Sequence, residues 1–101
     1  MEWVKVLDDP AALAEGSVTE ISAGGRPLAL SKVDGTICAL DGVCAHDGGP
    51  LGRGTIENGR VRCPWHGWEF DPCSGEYRYN PEKKVRSFAV EVREDGVYVG
   101  I

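Results

Sequence analysis

No stretch of this chain stays apolar for the ~20 residues that a membrane-spanning helix needs, so no membrane-spanning helix is expected within these residues. The opening MEWVKVLDDP has no basic region followed by an apolar run, so no secretory leader is expected and the cytoplasm is the expected compartment. There, cysteines are expected as thiols or metal ligands rather than as disulfides. Blocks of like charge are also missing: 16 acidic and 11 basic residues are scattered along the chain and leave a net charge of −5. Without a basic stripe, nucleic acid is excluded as a partner. An acidic surface of this kind keeps a protein in solution and complements a basic partner. Repeats, low-complexity tracts and linkers are absent, and 101 residues predict one domain with a modest core. Histidine is the scarcest chemically active residue. There are two, and both fall with two of the four cysteines between Cys44 and His66.

What is present reads as short strands punctuated by Gly, Asp and Pro. Trp3 to Leu7 predicts a first strand, and Asp8-Asp9-Pro10 a short helix running to Ala14, with Gly16 as its stop. Ser17 to Ile21 and Pro27 to Val33 predict a pair around Ala23-Gly24-Gly25. Asp34-Gly35 turns the second of these into Thr36 to Leu40. Val85 to Val92 and Val97 to Ile101 predict the last two strands, joined at Glu94-Asp95-Gly96. Five or more strands of this kind predict an all-β barrel or sandwich. From Asp41 to Gly75, Gly and Pro are dense and aliphatic residues sparse. In that stretch a hairpin is predicted for Thr55 to Glu57 and Arg60 to Arg62, hinged at Asn58-Gly59. Burial alone would order such a segment poorly. A bound metal centre adds the missing cross-links.

Cys44-Ala45-His46 and Cys63-Pro64-Trp65-His66 stand 16 residues apart. Thiolate and imidazole serve zinc, copper and iron–sulfur centres. A Cys₂His₂ set can hold zinc tetrahedrally, but zinc spacings usually keep the cysteines together and the histidines together. Here each pair is mixed. A C-x-H pair is short for two ligands of one tetrahedral ion and suits two atoms of a wider, two-iron centre. Both cysteines would then bind one iron and both histidines the other.

The spacing C-x-H, 16 residues, C-x-x-H resembles the Rieske [2Fe–2S] signature. ALDGVCAHDGGPL (39–51) and CPWHGWEFDPCSGE (63–76) resemble the first and second cluster loops of Rieske-type ferredoxins. The resemblance implies an all-β Rieske fold: a small base of three antiparallel sheets with a cluster-binding subdomain, about 41–75, inserted into it. It implies Cys44, His46, Cys63 and His66 as ligands of one [2Fe–2S] cluster, with the histidines at an exposed tip and the cysteine-bound iron deeper.

Respiratory-complex Rieske proteins tie their loops with a further disulfide. The matching positions here are Gly49 and Trp65, so this bridge is absent. The chain instead resembles the soluble ferredoxin components of bacterial aromatic-ring dioxygenase systems. That resemblance implies two partners, a flavoprotein ferredoxin reductase drawing on NAD(P)H and a terminal oxygenase. It implies an electron carrier rather than an enzyme, since both histidines are spent on the cluster and none remains for a catalytic iron. The small accessory subunit of an assimilatory nitrite reductase is the alternative on the same fold. Two neutral imidazoles leave the centre less negative than a four-cysteine cluster, which raises the potential. The hydroxyl donors of the respiratory type are replaced by Trp68 and Phe70, which predicts the low end of the class range, about −150 mV.

The remaining residues are read as structural. Cys38 is expected as a small core residue of its strand, and Cys73 as a structural thiol near the cluster. Trp3 and Tyr98 are expected to pack, and Trp65 and Trp68 to shield the cluster, with Trp65 a candidate docking residue at the tip. Pro50 and Leu51 are expected to cover its open side. Arg53, Arg60 and Arg62 are expected to balance Asp47, Glu57 and Glu69.

Overall fold

Short runs of β-forming residues, closed by tight turns, give eleven strands and no α-helix; the computed structural model describes all 101 residues. The base is made of β1 (Trp3–Leu7), β2 (Ser17–Ala23), β3 (Arg26–Val33), β4 (Thr36–Asp41), β10 (Ser87–Arg93) and β11 (Gly96–Gly100). Between β4 and β10 lie β5 (Thr55–Glu57), β6 (Arg60–Arg62), β7 (Glu69–Phe70), β8 (Glu76–Tyr77) and β9 (Asn80–Lys84). Asp34-Gly35 and Asn58-Gly59 both take positive φ, the left-handed pair that a two-residue hairpin requires.

Every strand pairing is antiparallel. The base strands run in the order β1-β11-β10-β4-β3-β2, and the insert in the order β5-β6-β7-β8-β9. β10 changes neighbours along its length. Ser87 and Phe88 pair with β4, whereas Ala89 to Arg93 pair with β11. The base is therefore two sheets sharing one strand, and the insert is the third.

Period-two alternation puts two cores on opposite faces of β3 and β4. Leu28, Leu30, Ile37 and Ala39 point into a base core with Phe88, Val97 and Val99. Ala29 and Leu40 point the other way, into a second core with Leu51, Val61, Phe70 and Val85. Cys44 and Cys63 belong to this second core. A 3₁₀ turn at Leu51–Arg53 seats the insert on β2, where a side chain at Gly52 would run into Glu20 Cα at 2.6 Å.

Three expectations need correction. The helix from Asp8 to Ala14 is a 3₁₀ turn over Pro10–Ala12, capped by the Asp9 carboxylate on the Ala11 N–H (2.9 Å). It stops there because Leu13 is drawn into the base core. The strand expected from Val85 begins at Ser87, since Val85 is committed to the second core and bonds Gly75 O through its N–H (3.0 Å). Cys38 is half-buried rather than a core residue, and Cys73 is exposed. They form a disulfide, with Cα atoms 5.1 Å apart. The parity of β4 explains it: Cys38 shares the Leu40 face, which looks toward the insert, and Cys73 comes to meet it.

Candidate metal centre

Two turns of one design carry the cysteine–histidine set. In the first, the Cys44 N–H donates to Gly49 O (2.9 Å) and the Gly48 N–H to Cys44 O (3.0 Å). In the second, the Cys63 N–H donates to Trp68 O (2.8 Å) and the Gly67 N–H to Cys63 O (3.0 Å). Gly48 and Gly67 share a φ of 78°, a conformation that side chains disfavour. A third turn repeats the frame with Asp71 in the cysteine's place: the Asp71 N–H donates to Glu76 O and the Gly75 N–H to Asp71 O, both at 2.9 Å.

The frame explains what each position does. Its first residue is an acceptor enclosed by the turn. The His46 and Asp47 N–H groups donate to the Cys44 thiol. The Cys73 and Ser74 N–H groups donate in the same way to Asp71 Oδ1, at 2.9 and 2.8 Å. These bonds, led by that from Ser74, hold the Asp71 carboxyl below its ordinary value against the cost of burial. For Cys44 the balance is reversed, and burial pushes the thiol up to about 11.

The four candidate residues converge. Cys44 and Cys63 are 3% and 1% exposed, whereas the side chains of His46 and His66 are 37% and 61% exposed. The imidazole centroids lie 5.3 Å apart. Asp47 stands between the two pairs. Its carboxylate contacts Nδ1 of His66, lies 3.5 Å from Nδ1 of His46 and accepts from Cys63 Sγ at 3.7 Å. Partial burial works against its charge, but the His66 contact and the Gly49 N–H prevail and hold the carboxyl at about 2. The space that Asp47 marks has soft, buried sulfur on one side and exposed imidazole nitrogen on the other. That donor set fits a two-iron centre better than one tetrahedral ion.

The surroundings were partly anticipated. Leu51 is fully buried beside the thiols and Pro50 half-buried. Trp68 lies flat on His46, with centroids 4.1 Å apart and planes 3° apart. Trp65 is 59% exposed. A side chain at Gly49 would stand 2.8 Å from Cys63 Sγ and 3.1 Å from the Trp65 ring, so those two positions are neighbours, and neither holds a cysteine. Two contributors were missed. Tyr77 stacks on the far face of Trp68 at 3.8 Å. Asp47, expected to balance a surface arginine, holds the same place in its turn that His66 holds in the second. The expected arginine pairings are also revised: Arg53 pairs with Glu20 (3.4 Å) and Glu69 with Arg78 (3.2 Å).

Comparison with known proteins agrees with this geometry. The family model of the Rieske [2Fe–2S] domain matches residues 2–89. The chain is 32% identical over 93 residues to the ferredoxin component of naphthalene 1,2-dioxygenase/salicylate 5-hydroxylase systems of Ralstonia sp., covering 89% of this chain and 86% of that protein. It is 36% identical over 88 residues to human apoptosis-inducing factor 3, covering 86% of this chain but 14% of that longer protein. A solved complex of reduced oxygenase and oxidized ferredoxin in carbazole 1,9a-dioxygenase contains a chain that superposes with a TM-score of 0.86 at 31% identity, covering 97% of this chain and 92% of that one. With two matched turns, a sulfur pair beneath an imidazole pair and a family match over nearly its whole length, this chain belongs to the Rieske [2Fe–2S] family.

Proposed function

We propose that this chain is a one-electron carrier whose [2Fe–2S] cluster is held by Cys44 and Cys63 on one iron and by His46 and His66 on the other. It takes electrons from a flavin-dependent NAD(P)H reductase and delivers them to a terminal aromatic-ring oxygenase. The observation that carries this is the vertical order of the site, with buried thiols below and exposed imidazoles above. Such a site insulates one side of a redox centre and offers the other to partners. The chain spans 86% of the Ralstonia ferredoxin component, which supports the carrier reading. A relative named as a ferredoxin component gives the nitrite reductase alternative no support. No helix of the structure is long and apolar enough to cross a membrane. We assign the carrier to the cytoplasm, where a nicotinamide-dependent reductase finds its reductant.

The bound cluster supplies the one-electron couple. The protein's own groups set its conditions. The His46 and Asp47 N–H groups point at the Cys44 sulfur and stabilise negative charge there. Trp68, held by Tyr77, fixes the plane of His46. Replacing Cys44, His46, Cys63 or His66 with Ala should abolish cluster incorporation, whereas Cys38→Ala and Cys73→Ala should keep it. Iron and acid-labile sulfide analysis of the six variants tests this. A fully loaded Cys44→Ala would overturn the assignment.

A further inference from the structure

The segment 78–86 departs from the acidic character of the rest. It holds Arg78, Lys83, Lys84 and Arg86 against one acidic residue, Glu82, in a chain of net charge −5. Arg78 is tied to Glu69, and Arg86 lies over the Phe88 ring at 4.6 Å. Lys83 and Lys84 are exposed and form no ion pair. They sit on β9, one of the two edge strands of the insert. Lysines on a sheet edge also deter strand pairing. These two do more, because they border a groove of about 360 Å³ whose other walls are Ala45, His46, Trp68 and Glu82, so that two cations there outweigh one carboxylate. Lys83 Nζ stands 5.7 Å from the centre of the Trp68 ring, and that ring lies flat on His46.

The groove thus leads from free positive charge to one of the two imidazoles. A larger groove flanks the other, lined by Trp65, His66, Arg53 and Arg62 among others. There Arg53 is spent on Glu20, and Arg62 lies against the Gly67 turn. We propose that the β9 groove is a lateral docking face for a redox partner bearing a carboxylate cluster, and that the electron crosses there through His46. This rests on the carrier reading and adds a face to it. A protein partner suits the groove better than a polyanion such as nucleic acid. Lys83 and Lys84, offset by the one carboxylate of Glu82, complement a small acidic patch, while the rest of the surface repels an extended anion.

Small probes of opposite charge test the face without the partner. The reduced protein is mixed with tris(oxalato)cobaltate(III), a trianion bearing carboxylates, or with hexaamminecobalt(III), a trication. One electron passes to Co(III) in each case and gives Co(II). Net charge alone makes the trianion reaction faster as salt is added, because like charges are screened. Docking at the groove reverses that sign, so the trianion rate should fall with salt. Lys83→Glu with Lys84→Glu should slow it by about tenfold at low ionic strength and restore the rising slope. Arg53→Glu with Arg62→Glu, which changes net charge equally, should leave the falling slope in place. A binding readout accompanies the rates. The redox-inert trianion hexacyanochromate(III) should broaden the amide resonances of 82–84 before those of the base, and not in the lysine variant.

A trianion rate that rises with salt in the native protein overturns the proposal. So does a loss of the falling slope in the arginine variant with none in the lysine variant. A protein that holds no visible-absorbing cluster fails at the carrier reading, before the groove is tested.

Discussion

At the scale of single residues, Phe70 bears most directly on the electron's energy. It is fully buried in the core that contains Cys44 and Cys63 and offers that core no polar hydrogen. A hydroxyl there would donate to nearby sulfur and stabilise the more negative, reduced centre. A hydrogen bond to a charged acceptor contributes about 1.5–3 kcal/mol in general. The difference between redox states is smaller, roughly 1 kcal/mol, or ~40 mV for one electron. Phe70→Tyr should therefore raise the midpoint potential by about that amount, as measured by protein-film voltammetry with iron content unchanged. An unmoved or lower potential, with the new hydroxyl shown by a structure to reach sulfur, contradicts this account. The four candidate ligands were legible as residues because scarce types clustered at a diagnostic spacing. Asp47 and Tyr77 were not, because an acid in a glycine-rich turn and a tyrosine after a glutamate carry no pattern. Their roles come from what the fold sets beside them.

At the scale of elements, turns decided what could be read. The hairpins at Asp34-Gly35 and Asn58-Gly59 were visible because their residues suit few other conformations. β1 and the β5–β6 hairpin fall where their sequence places them. β7 and β8 are two residues each, too short for any alternation to show. β9, reading NPEKK, is polar and contains Pro81, which fits an edge strand and resembles a loop. The third turn was hidden because its anchoring residue is not a cysteine. Asp71 should nonetheless support β7 to β9 much as a capping residue supports a helix. Asp71→Ala should cost about 1 kcal/mol, and Asp71→Asn less, since its amide oxygen still accepts. The folded carboxyl lies below its unfolded value, so its stabilising effect is complete above the ordinary carboxylate range and is lost as pH falls through the folded value. Urea unfolding of wild type and Asp71→Asn between about pH 2 and 6 should show the gap between them closing in acid. Acid release of metal affects both proteins alike, and a gap independent of pH would remove the carboxylate from the explanation.

At the scale of the whole molecule, one covalent link joins the two layers. Cys38 belongs to the base and Cys73 to the third turn of the insert, 35 residues apart. Sequence could not pair them: connectivity is invisible in spacing alone, and the expected reducing compartment argued for thiols. A closed loop of this size stabilises by about 3–4 kcal/mol through the unfolded chain. Cys38→Ser with Cys73→Ser should lower Tm by at least ~10 °C while keeping the visible spectrum of the cluster. Dithiothreitol should bring wild type down to the same Tm and leave the double variant unchanged. Equal Tm values throughout, with four thiols titrating in the unfolded, metal-free wild type, would show that the link does not form. The two-core plan itself was only half legible. The insert was visible as a change in composition, but its own sheet runs on to Lys84, beyond the Gly75 boundary drawn from glycine density.

The two cores divide their contents unequally. The base core is built from nine residues, none of them a metal-ligand candidate, while both candidate ligand thiols sit in the second. The third turn likewise closes on its own carboxylate. Loss of a bound cluster would therefore act first on the two turns that carry the candidate ligands, while the base core, which holds none of them, would keep its packing.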